Sequence, residues 1–123
     1  MEEALTYLAD FFEICVFTAG EEDYAETILN FIDPDRTIIK HRLYRQHCVT
    51  PAPNIYVKDL NIIADRELKD IIIVDNSIIS FAFNLPNGVP IASFISDARD
   101  EELLFLVTFL EEVYSVHDVR PTI

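Results

Sequence analysis

The stretch IIIVDNSIIS, residues 71–80, decides the fold. Ile71, Ile72, Ile73 and Val74 are four consecutive β-branched apolar residues that run straight into Asp75, Asn76 and Ser77. A short continuous apolar run of this kind reads as a strand buried on both faces, as in a parallel sheet. It is far shorter than the roughly 18 residues that suggest a membrane span. Its abrupt end on a carboxylate and an amide raises the question of what those two groups hold.

The flanking sequence supplies the rest of an α/β pattern. EICVFT, residues 13–18, is a second short apolar run rich in strand formers, within which Cys15 reads as a small core residue. Before it, residues 3–12 place Ala4, Leu5, Leu8, Phe11 and Phe12 on one helical face. After it, residues 21–32 predict a helix with Tyr24, Ile28 and Ile32 at four-residue steps and acids in its first turn. TIIKHRLY, residues 37–44, reads as a strand, and the prolines of CVTPAPNIYVKDL, residues 48–60, suggest a hairpin excursion. LPNGVPIASF, residues 85–94, gives a turn and a short third strand. Residues 99–114 predict a helix striped by Leu103, Leu106, Val107, Leu110 and Tyr114, with Asp100 to Glu102 at its start. Helices alternating with strands in this order imply a parallel sheet.

Composition narrows the function classes. The 123 residues fit one domain. The acidic start MEEALTYLADFF is neither a signal peptide nor a transit peptide, so an intracellular soluble protein is expected. The two cysteines, Cys15 and Cys48, form no CxxC, and His41, His47 and His117 are scattered, so spacing suggests neither a disulfide framework nor a zinc site. A net charge of −13 argues against nonspecific nucleic-acid binding. Seven of the nine basic residues nevertheless lie between positions 34 and 69, with four acids, which makes that segment a candidate anion-binding face.

Ligands of open parallel sheets sit off the carboxyl ends of the strands. There the sequence puts the Thr18 hydroxyl, the Lys58 cation and the Asp75–Asn76 oxygen pair, a set suited to a phosphate and a hard cation. DPDRT, residues 33–37, matches Asp-x-Asp-x-Thr literally, but it follows a helix rather than a buried strand and contains Pro34.

FEICVFTAGEEDYA, HRLYRQHCV, YVKDLNIIADREL, IIIVDNS, NGVPIASF and DVRP, in this order and over nearly the whole chain, resemble the haloacid-dehalogenase-type phosphatases of the FCP1-homology, NLI-interacting-factor-like kind. The likeness is greatest to the branch of small-phosphatase-like 2 proteins. The resemblance implies a Rossmannoid parallel sheet with helices on both faces and a β-hairpin insertion. It implies a Mg2+-dependent protein serine/threonine phosphatase acting on phosphoserine peptides, such as the C-terminal domain of RNA polymerase II, in the nucleus or cytoplasm. An aspartate nucleophile would form an aspartyl phosphate that water hydrolyses. Thr18 would bond the phosphoryl group, Lys58 would neutralise it, Asp75 would orient Lys58 and bound water, and Asn76 with Asp75 would hold the metal. Tyr24 and Arg45 would line the peptide groove.

In that family the nucleophile motif Asp-x-Asp-x-Thr lies on a central strand ahead of EICVFT, and these 123 residues begin inside the helix that follows it. The expectation is therefore a single domain, residues 1–123, truncated before its nucleophile motif and inactive by itself. Its sheet would lack one central strand, with unpaired edges open to oligomerisation. The alternative is a noncatalytic phosphopeptide-binding or regulatory module.

Overall fold

The computed structural model describes residues 2–91, 99–114, 116 and 118–121. Residues 92–94 of the expected third strand, the side chains of residues 100–103 and His117 lie outside the described residues. The chain forms two compact units, Met1–Cys48 and Val49–Ile123. Among the described residues no helix is long and apolar enough to cross a membrane.

In the first unit, α1 (Glu2–Leu8) ends four residues short of the expected boundary. Leu8 is buried, but the chain then turns, and Phe11 stacks in a tilted pair on Tyr7 at the surface. Strand β1 (Ile14–Phe17) pairs in parallel with β2 (Ile39–Leu43), and α2 (Glu22–Ile32) is the crossover between them. Ile14 and Val16 pack with Ala25, Leu29, Ile39 and Tyr44 in one cluster. Successive side chains of a strand alternate between faces. Cys15 therefore points away from that cluster and is exposed, not a core residue.

The expected helix α2 forms, but a different row of side chains is buried. Its apolar belt spans Tyr24, Ala25, Ile28, Leu29, Phe31 and Ile32, which is wider than one face. Ala25 and Leu29 are the buried pair, because the small Ala25 lets the helix approach the strands closely. Tyr24 is 71% exposed and Phe31 86% exposed.

In the second unit, β3 (Val49–Ala52) and β4 (Ile55–Val57) make the expected antiparallel hairpin. Its two-residue connection has Pro53 followed by Asn54 at φ 63, a left-handed position that Asn tolerates well. Strand β5 (Ile73–Asp75) pairs in parallel with β6 (Gly88–Pro90) through a succession of 3-10 turns, Ile78–Asn87. Leu60, Ile73 and Phe81 form the local core, with Leu68 and Ile71 against it. Gly88 lies directly under the Phe81 ring: a Cβ there would stand 2.1 Å from two ring carbons. Helix α3 (Arg99–Val113) buries Leu110 and Val113, whereas Tyr114, expected on the stripe, is exposed.

One expectation changes. Strand β5 is shorter than residues 71–75, because the Asn87 amide takes the carbonyl oxygens of Leu68 at 2.6 Å and Ile71 at 2.8 Å out of any ladder. The strands form three two-stranded sheets, of which β1–β2 and β5–β6 are the small parallel ones expected of an α/β chain. Each parallel pair is bridged by its own crossover, α2 in the first unit and the 3-10 turns in the second.

Candidate active site

Lys58 follows β4 directly, and its backbone N–H donates to the Ser80 carbonyl at 2.7 Å. That bond ties the end of the hairpin to the 3-10 crossover. The Lys58 side chain reaches the end of β5, where Nζ forms an ion pair with Asp75 Oδ2. The two side chains are 10% and 9% exposed. Asp75 Oδ1 accepts the Ser77 N–H at 3.0 Å, an Asx turn that makes the chain leave the strand there. The Asp75 carbonyl accepts the Ile91 N–H at 3.0 Å, as a continuation of the β5–β6 pairing. Asn76, the next residue, is exposed. The run of apolar residues thus stops on Asp75 because its carboxylate is needed twice, once for a buried cation and once for a backbone turn.

Chemically, the pair is a pre-positioned ammonium group held beside a carboxylate and an amide. Asp75 and Asn76 offer only oxygen, which suits a hard cation. Asp75 already accepts from Lys58 and Ser77, but a carboxylate has about four lone-pair positions, so capacity remains.

Thr18, Tyr24 and Arg45 belong to the first unit. The Thr18 N–H donates to Leu43 at 2.9 Å, extending the β1–β2 pairing by one bond. Its Oγ1 accepts the Gly20 N–H at 3.0 Å, which leaves the hydroxyl proton to donate elsewhere. Arg45 braces the same loop: its Nε donates to the Ala19 carbonyl at 2.7 Å and its backbone N–H to that of Gly20 at 3.1 Å. A guanidinium nitrogen of Arg45 also pairs with Glu21 at 3.3 Å. Arg45 and the loop after Thr18 are thus brought together, while Tyr24 stands in the first turn of α2, facing outward.

Asp33, the first residue of the literal Asp-x-Asp-x-Thr, is 1% exposed. Its carboxylate accepts the backbone N–H groups of Thr37 and Ile38, both at 3.1 Å, and of Ile39 at 2.8 Å. The Ile39 bond above all holds its pKa below the usual carboxylate value, against the effect of burial, with Ile38 and Thr37 adding to it. Asp33 anchors the passage from α2 into β2, and its oxygens are engaged there.

The basic middle segment is largely neutralised from within. Arg42, with its side chain buried, pairs with Glu26, and Arg36 NH2 meets the two oxygens of the same carboxylate at 2.9 and 3.1 Å. Arg36 and then Arg42 hold the Glu26 carboxyl below its ordinary pKa. Burial, with the Glu26 charge, raises that of the adjacent Tyr44 phenol. Arg42 is therefore locked into the packing of the first unit, while Arg36, 55% exposed, holds the same carboxylate from the surface.

Sequence reasoning missed the polar frame behind Lys58 and Asp75. Ser80 receives the Lys58 N–H, the Asn84 amide oxygen accepts the Leu60 N–H at 2.9 Å, and Asn87 holds two carbonyls. The available signal was FNLPN, residues 83–87: two amides in an otherwise apolar stretch, which must be hydrogen-bonded when buried.

The family model for NLI interacting factor-like phosphatases matches residues 1–120. CTD small phosphatase-like protein 2 of Dictyostelium discoideum is 50% identical over 122 residues, which covers 99% of this chain and 21% of that protein. CTD small phosphatase-like protein 3 of Caenorhabditis elegans is 44% identical over 117 residues, covering 94% and 40%. The chain thus spans well under half the length of these relatives. Among solved structures, Fcp1, an essential RNA polymerase II CTD phosphatase, aligns with a TM-score of 0.64 at 16% identity, over 93% of this chain and 34% of that one. Fission yeast Fcp1 bound to beryllium fluoride aligns at 0.62 and 14%, over 93% and 35%. The fold is similar to that of Fcp1, with mixed helices and small parallel sheets.

Proposed function

The chain belongs to the NLI interacting factor-like phosphatase family, and on that premise we propose that it forms most of a domain that dephosphorylates phosphoserine and phosphothreonine in proteins. The observation that carries this reading is the buried Lys58–Asp75 pair at the carboxyl end of β5, with Asn76 exposed beside it.

In this proposal Lys58 offsets negative charge on the phosphoryl group, and Asp75 holds the ammonium in place so that no reorganisation is needed as charge develops. The Thr18 hydroxyl donates a hydrogen bond to a phosphoryl oxygen. Asp75 and Asn76 would hold Mg2+, their all-oxygen donor set fitting a hard cation. Bound there, the cation would add charge stabilisation at the phosphoryl oxygens. Tyr24 and Arg45 would contact the peptide around the phosphoserine, Arg45 only by releasing Glu21. A tail of RNA polymerase II is the reference substrate by family, and would put the protein in the nucleus.

The reaction needs a carboxylate nucleophile. Its oxygen would bond to phosphorus as the bond to the seryl oxygen breaks, and a general acid, by resemblance the second Asp of the same Asp-x-Asp-x-Thr motif, would give that oxygen its proton. Water would then cleave the acyl phosphate to give inorganic phosphate and the free carboxylate. Asp33 is a poor nucleophile because three backbone N–H groups already occupy its oxygens. We therefore propose that the nucleophile is not among these 123 residues.

The engagement of Asp33 also favours a second reading, a module that binds phosphopeptides without turnover. One experiment separates the two. A segment carrying an apolar strand that ends in Asp-x-Asp-x-Thr is joined ahead of Met1, and phosphate release from a phosphoserine peptide is measured. The first reading expects activity in Mg2+, loss in EDTA, and a fall on the order of 100-fold for Lys58→Ala, with none from the 123 residues alone. A folded fusion that binds the peptide but releases no phosphate supports the second reading. One that neither binds nor hydrolyses it refutes both.

A further inference from the structure

We propose that Glu13, Cys15 and His41 form a zinc site on the exposed face of the β1–β2 pair. The ligand atoms of these three side chains all lie within 4.8 Å of one another, and all three residues are exposed. Among the described residues they are the only group of His, Cys, Asp and Glu side chains so arranged. None of them is a site residue of the proposed phosphatase.

A local irregularity builds the cluster. Ile14 pairs with Ile39, and an unbroken parallel register would set Cys15 beside Lys40. Instead the register shifts between Ile14 and Cys15, and Cys15 pairs with His41. The shift replaces a cation beside the thiol with an imidazole. Bulges of this kind re-aim side chains and are over-represented beside functional sites. Glu13 precedes the strand, and its carboxylate meets His41 Nε2 at 3.3 Å.

The donor set is one sulfur, one imidazole nitrogen and one carboxylate oxygen. That combination selects zinc over magnesium or calcium, which take oxygen. Zinc bonds of about 2.0–2.3 Å put tetrahedral ligands about 3.5 Å apart. The Glu13–His41 separation already meets this, and the exposed side chains can close the remaining gap by rotation. Three protein ligands leave a fourth position for water, the pattern of an open site. Binding would displace the thiol proton and tie β1 to β2, the two strands that lead into the Thr18 loop and Arg45.

The test uses the purified 123-residue chain with Co2+ as a spectroscopic probe and Zn2+ as competitor. The expected result is a thiolate-to-cobalt charge-transfer band that Zn2+ abolishes. The band should be lost in Cys15→Ser, retained in Cys48→Ser, and require about tenfold more Co2+ or beyond in His41→Asn. In the unaltered chain, Zn2+ should slow alkylation of Cys15 and leave Cys48 unaffected. This readout depends on no variant folding. A band that persists in Cys15→Ser, the absence of any thiolate band, or unchanged alkylation of Cys15 in Zn2+ would overturn the proposal.

Discussion

Removing one member of the Lys58–Asp75 pair should destabilise the second unit more than removing both. The two side chains are only about one-tenth exposed and in direct contact. At an effective dielectric of about 20, unit charges in contact attract by about 4–5 kcal/mol, and desolvation offsets much of that when the pair forms. Truncation of one partner forfeits the attraction while the other charge stays desolvated, which costs about 3–5 kcal/mol in buried pairs. Lys58→Met should lie near 3 kcal/mol, because Asp75 is short, held by the Ser77 N–H, and only 9% exposed in its side chain. Asp75→Asn should cost less: the asparagine oxygen can keep the Ser77 bond, and the lysine stem can carry its ammonium outward. The double variant Lys58→Met/Asp75→Leu should recover to within about 1 kcal/mol of the parent. Urea unfolding followed by circular dichroism measures this. With a slope of about 1.5 kcal/mol per M, Lys58→Met moves the midpoint by about 2 M. The reasoning fails if both single variants cost under about 1 kcal/mol or if their effects simply add.

Gly88→Ala should cost about 3 kcal/mol or more in the same assay, since the new methyl lies 2.1 Å from the Phe81 ring; Phe81→Leu in that background should recover part of it, and a neutral Gly88→Ala would contradict the packing. Asn87→Asp should be worse than Asn87→Leu, because it aims a carboxylate at the carbonyls of Leu68 and Ile71 in a site 1% exposed; equal melting temperatures would refute this. The lowered pKa of Asp33 means that its contribution is complete above the ordinary carboxylate value, near pH 4, and is lost as the pH falls through the lower folded value. Asp33→Asn should therefore be less stable than the parent at pH 7, with the difference shrinking below about pH 4. A pH-independent difference would show that the carboxylate charge is not what matters.

How far the sequence disclosed the fold depends on which residues carried the information. The hairpin was legible because two prolines, Pro51 and Pro53, interrupt the segment before a short strand, although Pro51 itself lies in β3 and only Pro53 is in the turn. The end of β5 was legible because Asp75 and Asn76 break a β-branched run. The packed face of α2 was not, since six apolar positions make a belt and only the contact with β1 and β2 selects Ala25 and Leu29. Cys15 was misplaced for a related reason: hydrophobic neighbours in sequence lie on opposite faces of a strand. The pairings of Glu26 with Arg36 and Arg42, and of Glu13 and Cys15 with His41, join residues 10 to 28 positions apart, which no local spacing reveals.

Helix α2 presents a second apolar row, Tyr24, Ile28 and Phe31, on its outer side. This row makes the colloidal behaviour of the chain a contest between a sticky stripe and a formal charge of −13. In dilute buffer, like-charge repulsion keeps copies apart. Raising the ionic strength shortens the screening length from about 30 Å at 0.01 M to about 3 Å at 1 M, while contacts between exposed aromatic and aliphatic groups are not weakened. Added salt should thus turn the second virial coefficient from positive to negative, and charge, more than the core, governs how concentrated a solution of this protein can become.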